Sequence, residues 1–138
     1  MKSADKPAVS RRPRILIVDD NSRATRLLGR LLERRGYDVL GENDPTTAQP
    51  RAHRFRPDLV ILDVCMPWKD GYEVAADLAE DDQLHDVPVI MMTGYGSQDT
   101  PVHSCAVLRK PFEIEDLMTT IEQGLEGRSG SGSVACGS

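Results

Sequence analysis

The stretch Arg14-Ile15-Leu16-Ile17-Val18-Asp19-Asp20-Asn21 runs an apolar segment straight into two adjacent carboxylates. An unbroken apolar run of this length, bounded by polar residues, predicts a strand covered on both faces, which is the habit of parallel sheets. The following segment, Asn21–Tyr37, carries Ala24, Leu27, Leu28, Leu31 and Leu32 at helical spacing, which predicts an amphipathic helix buried along that stripe. Asn21 or Ser22 can cap its start and Gly36 can end it.

Working outward, the same alternation repeats. Tyr37–Leu40 reads as a second strand. Thr46–Phe55 reads as a helix with Pro50 in its middle. An interior proline costs about 3 kcal/mol, so this helix is expected to be short, bent or partly lost. Asp58–Leu62 predicts a third strand ending at Asp63, and Gly71–Glu80 a helix that buries Val74, Ala75 and Leu78. Val87–Met92 predicts a fourth strand ending at Thr93. Val107 and Leu108 form a short fifth strand ending at Arg109 and Lys110, and Glu113–Leu125 is the last helix. Strands alternating with helices indicate a doubly wound α/β fold around a five-stranded parallel sheet. Ligands on such sheets bind outside the carboxyl ends of the strands. Asp19, Asp20, Asp63, Thr93 and Lys110 all fall on that rim.

Composition narrows the class. A chain of 138 residues, 39% apolar and 28% charged, suits one soluble domain. The net charge of −5 argues against a general nucleic-acid binder. The three cysteines are Cys65, Cys105 and Cys136, and no CxxC pair occurs. This usage fits a reducing, cytoplasmic setting without disulfides or zinc. Neither a signal peptide nor an apolar run of ~20 residues is visible, so no membrane segment is expected. Residues 1–13 and 127–138 are polar and rich in Pro, Arg, Gly or Ser; they are expected to flank a domain at 14–126 as flexible segments.

Three carboxylates on one rim repel one another, and a hard divalent cation would stabilise them together. Mg²⁺ takes oxygen ligands, keeps several waters and commonly bridges to phosphate. Asp20 and Asp63 are candidate direct ligands. Asp19 could bind directly or through water, and the backbone carbonyl of Cys65 could add another oxygen.

Val18–Asp20 (VDD), Leu62–Gly71 (LDVCMPWKDG), Met92–Gly94 (MTG) and Leu108–Phe112 (LRKPF) together resemble the receiver domain of bacterial two-component response regulators. The resemblance covers Arg14 to Leu125. It implies a flavodoxin-like sheet of order 2-1-3-4-5. Asp63 would be the phosphoacceptor, taking its phosphoryl group from the phosphohistidine of a sensor histidine kinase or phosphotransfer protein. Asp19 and Asp20 would hold Mg²⁺, Thr93 and Lys110 would contact phosphoryl oxygens, and Lys110–Pro111 would be a cis bond. The product would be a switch read by a downstream protein, not a turnover enzyme. No nucleic-acid or membrane partner is implied, and the oligomeric state stays open.

Three features depart from the pattern. Val107 stands where the family usually carries an aromatic. The Thr93–Lys110 interval is short by about five residues, more than one helical turn at ~1.5 Å per residue; Gly94, Gly96 and Pro101 also discourage helix, so the fourth helix should be stunted or replaced by a loop. Pro50 is the third departure. Two alternatives follow: a degenerate receiver that binds partners independently of phosphorylation, and a Mg²⁺-dependent phosphohydrolase. The latter would want an acid two residues after Asp63, where Cys65 stands. Trp68 is expected to pack within the loop after Asp63, and Arg51, His53, Arg54 and Arg56 to form a solvated face.

Overall fold

The computed structural model describes residues 11–66, 68–94 and 106–129. Strand β1 (Arg14–Val18) leads through α1 (Ser22–Arg34) to β2 (Asp38–Glu42). A 3₁₀ turn (Pro45–Thr47) and α2 (Ala48–Phe55) precede β3 (Leu59–Asp63), α3 (Gly71–Ala79), β4 (Val89–Thr93), β5 (Ala106–Arg109) and α4 (Ile114–Ser129). The five strands form one sheet of order β2-β1-β3-β4-β5, and every pairing is parallel. The expected doubly wound topology is therefore present. The expected stunted fourth helix falls on residues 95–105, outside the described residues. Among the described residues, no helix is long and apolar enough to cross a membrane.

Strand side chains alternate between two faces, and here both faces are covered. Leu16, Val18, Val60, Leu62, Val89 and Met91 pack with Ala48 and Ala52 of α2 and Val74, Ala75 and Leu78 of α3. Ile15, Ile17, Leu59, Ile61, Ile90 and Met92 pack on the opposite face with Leu32 of α1 and Leu117, Met118 and Ile121 of α4. Double coverage is why these strands read as continuous apolar runs and not as alternating ones.

Helix α1 departs from the expected stripe. Its buried residues are Thr25, Gly29 and Leu32, whereas Leu31 is exposed and Leu27 is 63% exposed. Close approach to β2 explains the choice. A Cβ on Gly29 would lie 3.5 Å from Val39 Cγ1, and one on Gly41 would lie 3.2 Å from Thr25 Cβ. Only small side chains fit between helix and strand at that separation.

Helix α2 is short, as expected, but Pro50 does not break it. The helix starts at Ala48, so Pro50 is its third residue, where a backbone N–H would have no acceptor within the helix. Helix α4 runs past the expected Leu125 to Ser129. At the other end, Arg11 donates to both carboxylate oxygens of Asp58 (3.0 and 3.2 Å), and Arg12 donates to the carbonyls of Glu33 (2.9 Å) and Gly36 (3.1 Å). The last residues of the segment expected to be loose are thus tied to the domain.

The basic stretch is solvated as expected, with Arg51, Arg54 and Arg56 exposed and His53 half-buried, but some of its side chains are paired. Arg51 Nε donates to Glu42 Oε1 at 2.7 Å. The amide of Gln49 donates to Asp81 Oδ2 at 2.7 Å, and His53 Nε2 lies 2.7 Å from the same oxygen. These bonds pull the Asp81 carboxyl down to about 2, the Gln49 amide contributing most, then the Gln83 N–H, and His53 after them. A folded pKa below the ordinary 3.8 means the contribution is complete above that value and is lost as pH falls towards 2. In urea titrations, the advantage of wild type over Asp81→Asn should therefore shrink as pH falls from about 4 to about 2.

Candidate functional site

The site sits at the carboxyl ends of β1, β3, β4 and β5. Asp19 follows β1 directly, and its backbone is held from both sides. Its N–H donates to the Glu42 carbonyl (3.1 Å), and its own carbonyl accepts from Asn43 Nδ2 (2.7 Å). Asn43 Nδ2 also reaches Thr25 Oγ1 at 3.1 Å, locking the start of α1 to the end of β2. The Asn21 N–H donates to Asp19 Oδ1 at 3.0 Å, while the Asn21 side chain caps α1 by accepting from Ala24 N. Asn43 and Glu42 were not singled out from the sequence. The rim rule alone could have flagged them, because both stand at the carboxyl end of β2.

Asp63 is the last residue of β3. It and Asp19 are each 5% exposed, and Asp20 is exposed. One oxygen from each of Asp19, Asp20 and Asp63 can be chosen so that all three lie within 4.8 Å of one another. Burial raises the Asp19 pKa most, and the charges of Asp63 and Asp20 raise it further; the Asn21 N–H and Lys110 oppose this without cancelling it. Asp19 thus resists ionisation in this setting, and a hard ion among these oxygens would offset that penalty.

Lys110 follows β5. Its backbone N–H donates to the Thr93 carbonyl (2.8 Å), which clips the ends of β4 and β5 together, and its Nζ donates to Asp63 Oδ1 (2.8 Å). Burial alone would lower the Lys110 pKa, but the Asp63 bond and charge, with smaller effects from Asp19 and Cys65, raise it overall. The ammonium stays charged at neutral pH. The Lys110–Pro111 bond is cis. Thr93, the last residue of β4, is 1% exposed, and its Oγ1 has no hydrogen-bond partner among the described residues. A buried hydroxyl left without a partner costs about 1–3 kcal/mol.

The loop after Asp63 must turn back at once. Gly71, the first residue of α3, donates its N–H to the Val64 carbonyl at 3.0 Å. A Cβ there would fall 2.4 Å from the Asp63 carbonyl oxygen and 2.9 Å from Val64 Cα. Asp70 and Glu73 form a reciprocal capping box that starts α3 just there. The side chain of Cys65 is exposed. Trp68 does not pack in the loop as expected: it is 83% exposed and adopts a left-handed backbone with φ 65°. For a bulky residue that conformation costs about 1–3 kcal/mol. Val107, at the position where an aromatic was expected, is exposed on edge strand β5.

Comparison with known proteins agrees with this geometry. The description "response regulator receiver domain" matches residues 15–122. The chain is 34% identical over 114 residues to the DNA-binding dual master transcriptional regulator RpaA of Synechocystis, covering 79% of this chain and 47% of that protein. It is 30% identical to the polar-differentiation response regulator DivK of Brucella anthropi, covering 80% of this chain and 94% of DivK. The crystal structure of Vibrio cholerae chemotaxis protein CheY4 superposes with a TM-score of 0.74 at 27% identity, covering 83% of this chain and 99% of that one. The chain spans about half the length of the transcriptional regulators it matches. Sheet order, acidic rim and sequence likeness converge: the chain belongs to the receiver-domain family of two-component response regulators.

Proposed function

We propose that this chain is a phosphoryl-accepting signalling switch in the cytoplasm, charged at Asp63 by a sensor histidine kinase or phosphotransfer protein and read by a downstream protein. The observation that carries this reading is the joint placement of three carboxylates within 4.8 Å and the Lys110 ammonium on Asp63. Asp19, Asp20, Asp63 and the Cys65 carbonyl would hold Mg²⁺. When bound, the ion supplies charge neutralisation for the carboxylates and the incoming phosphoryl group.

The protein's own residues do the rest. A carboxylate oxygen of Asp63 forms the new O–P bond as the P–N bond to the donor histidine breaks, and the electron pair returns to the imidazole. Lys110, charged and held at 2.8 Å from Asp63 Oδ1, is placed to follow charge onto a phosphoryl oxygen. The Thr93 hydroxyl, which has no partner among the described residues, is a donor for another. Phosphoryl transfer asks mainly for positioning and electrostatics, and these residues offer both. The acyl phosphate then biases the chain between two conformations that a partner distinguishes.

The test is intact mass after incubation with Mg²⁺ and acetyl phosphate. One hydroxylamine-labile phosphoryl adduct is expected. Sustained phosphate release over many turnovers would instead favour a phosphohydrolase, and no adduct with any donor, including a cognate kinase, would favour a phosphorylation-independent module. Metal binding is tested separately by calorimetric titration with Mg²⁺. Asp20→Asn should weaken binding by at least about tenfold, since even groups behind metal ligands are worth that much. Unchanged affinity would remove Asp20 from the ligand set.

A further inference from the structure

We infer that Trp68 is an aromatic anchor for the phosphodonor protein, set beside the acceptor to recognise a macromolecular donor and not a small one. The inference rests on the proposed role of Asp63. Trp68 combines three properties that structure alone does not require. It is the most exposed of the large apolar side chains described, its backbone is left-handed, and it lies in the short loop between Asp63 and α3. A solvated tryptophan in a strained conformation contributes nothing to this core, and residues held in sparsely populated conformations cluster at functional sites.

Geometry supplies the occupant. Gly71 touches the Asp63 backbone, and three residues of chain reach at most about 11 Å, so Trp68 stays close to Asp63. A standard protein interface covers roughly 800 Å² per partner, a patch about 16 Å in radius. A protein that brings a phosphohistidine against Asp63, with an interface centred there, covers Trp68 as well. Tryptophan is enriched among the few interface residues that carry most of the binding energy. The matching partner surface is an apolar recess flanking the donor histidine. A small donor such as acetyl phosphate has no apolar surface for Trp68 to bury, and that difference makes the role measurable.

Autophosphorylated histidine-kinase cores from the source organism would be offered in turn, and the fastest donor to wild type kept. Trp68→Asn suits the comparison because asparagine tolerates the left-handed backbone. Its kcat/KM with that kinase should fall at least about tenfold, with acetyl phosphate labelling unchanged and Trp68→Phe restoring most of the loss. Trp68 is the only tryptophan in the chain, so wild-type emission should shift to the blue when the kinase core binds. Equal transfer to Trp68→Asn and wild type, or emission unmoved by a binding kinase, overturns the anchor while leaving Asp63 as acceptor. Failure of wild type to accept phosphoryl from acetyl phosphate and from every kinase core overturns the underlying reading and this inference with it.

Discussion

Asp63→Asn is expected to form no detectable phosphoryl adduct with acetyl phosphate or with any kinase, a loss of at least about a thousandfold in rate. The substitution keeps the size and shape of the side chain but removes the anionic oxygen that would form the O–P bond. The chain should still fold. Asp63 is one of the charges that raises the Asp19 pKa, so its neutralisation relieves repulsion at the rim even as the charge pair with Lys110 is weakened. A cooperative urea transition alongside the missing adduct would separate loss of chemistry from loss of structure. Phosphorylation that persists in Asp63→Asn would move the acceptor elsewhere.

Gly71→Ala should destabilise the fold by about 3 kcal/mol, a size associated with overpacking against groups that cannot yield. The added methyl would stand 2.4 Å from the Asp63 carbonyl oxygen and 2.9 Å from Val64 Cα. Both are backbone atoms, so no rotamer change relieves the clash. Nor is that backbone free to retreat: Val64 N–H is bonded to the Met92 carbonyl at 3.0 Å, and Asp63 is in register with Met92 on β4. Any relaxation therefore displaces Asp63 itself. The expected result is a lower urea midpoint together with weakened Mg²⁺ binding. An unfolding free energy within about 0.5 kcal/mol of wild type, the range of an ordinary surface change, would contradict the close approach.

The sheet was legible in the sequence because its inner strands are coated on both faces. Leu59–Leu62 and Val89–Met92 are apolar without interruption for that reason, and the acids and the threonine that end those runs mark the rim without further help. The stripe of α1 was read only in part: Leu28 and Leu32 do pack on the core, but apolarity was counted where separation decides. Thr25 and Gly29 are buried by the close approach of α1 to β2, and Leu27 and Leu31 are left outside. Pro50 was weighed as a helix-interior residue, but the 3₁₀ turn moves the helix start to within two residues of it. The support of Asp19 by Glu42 and Asn43 depends on the pairing of β1 with β2, which no local pattern displays. Trp68 was expected inside the loop, since a large aromatic normally gains by burial; the tight return to Gly71 leaves it outside.

The central claim is that an oxygen of Asp63, and no other group, takes the phosphoryl from its donor. Borohydride reduction of the labelled wild-type chain converts an aspartyl phosphate to homoserine, which peptide mass mapping then locates. Homoserine at position 63 alone is the predicted result. Homoserine at position 19 or 20, or label carried on a histidine, would contradict it.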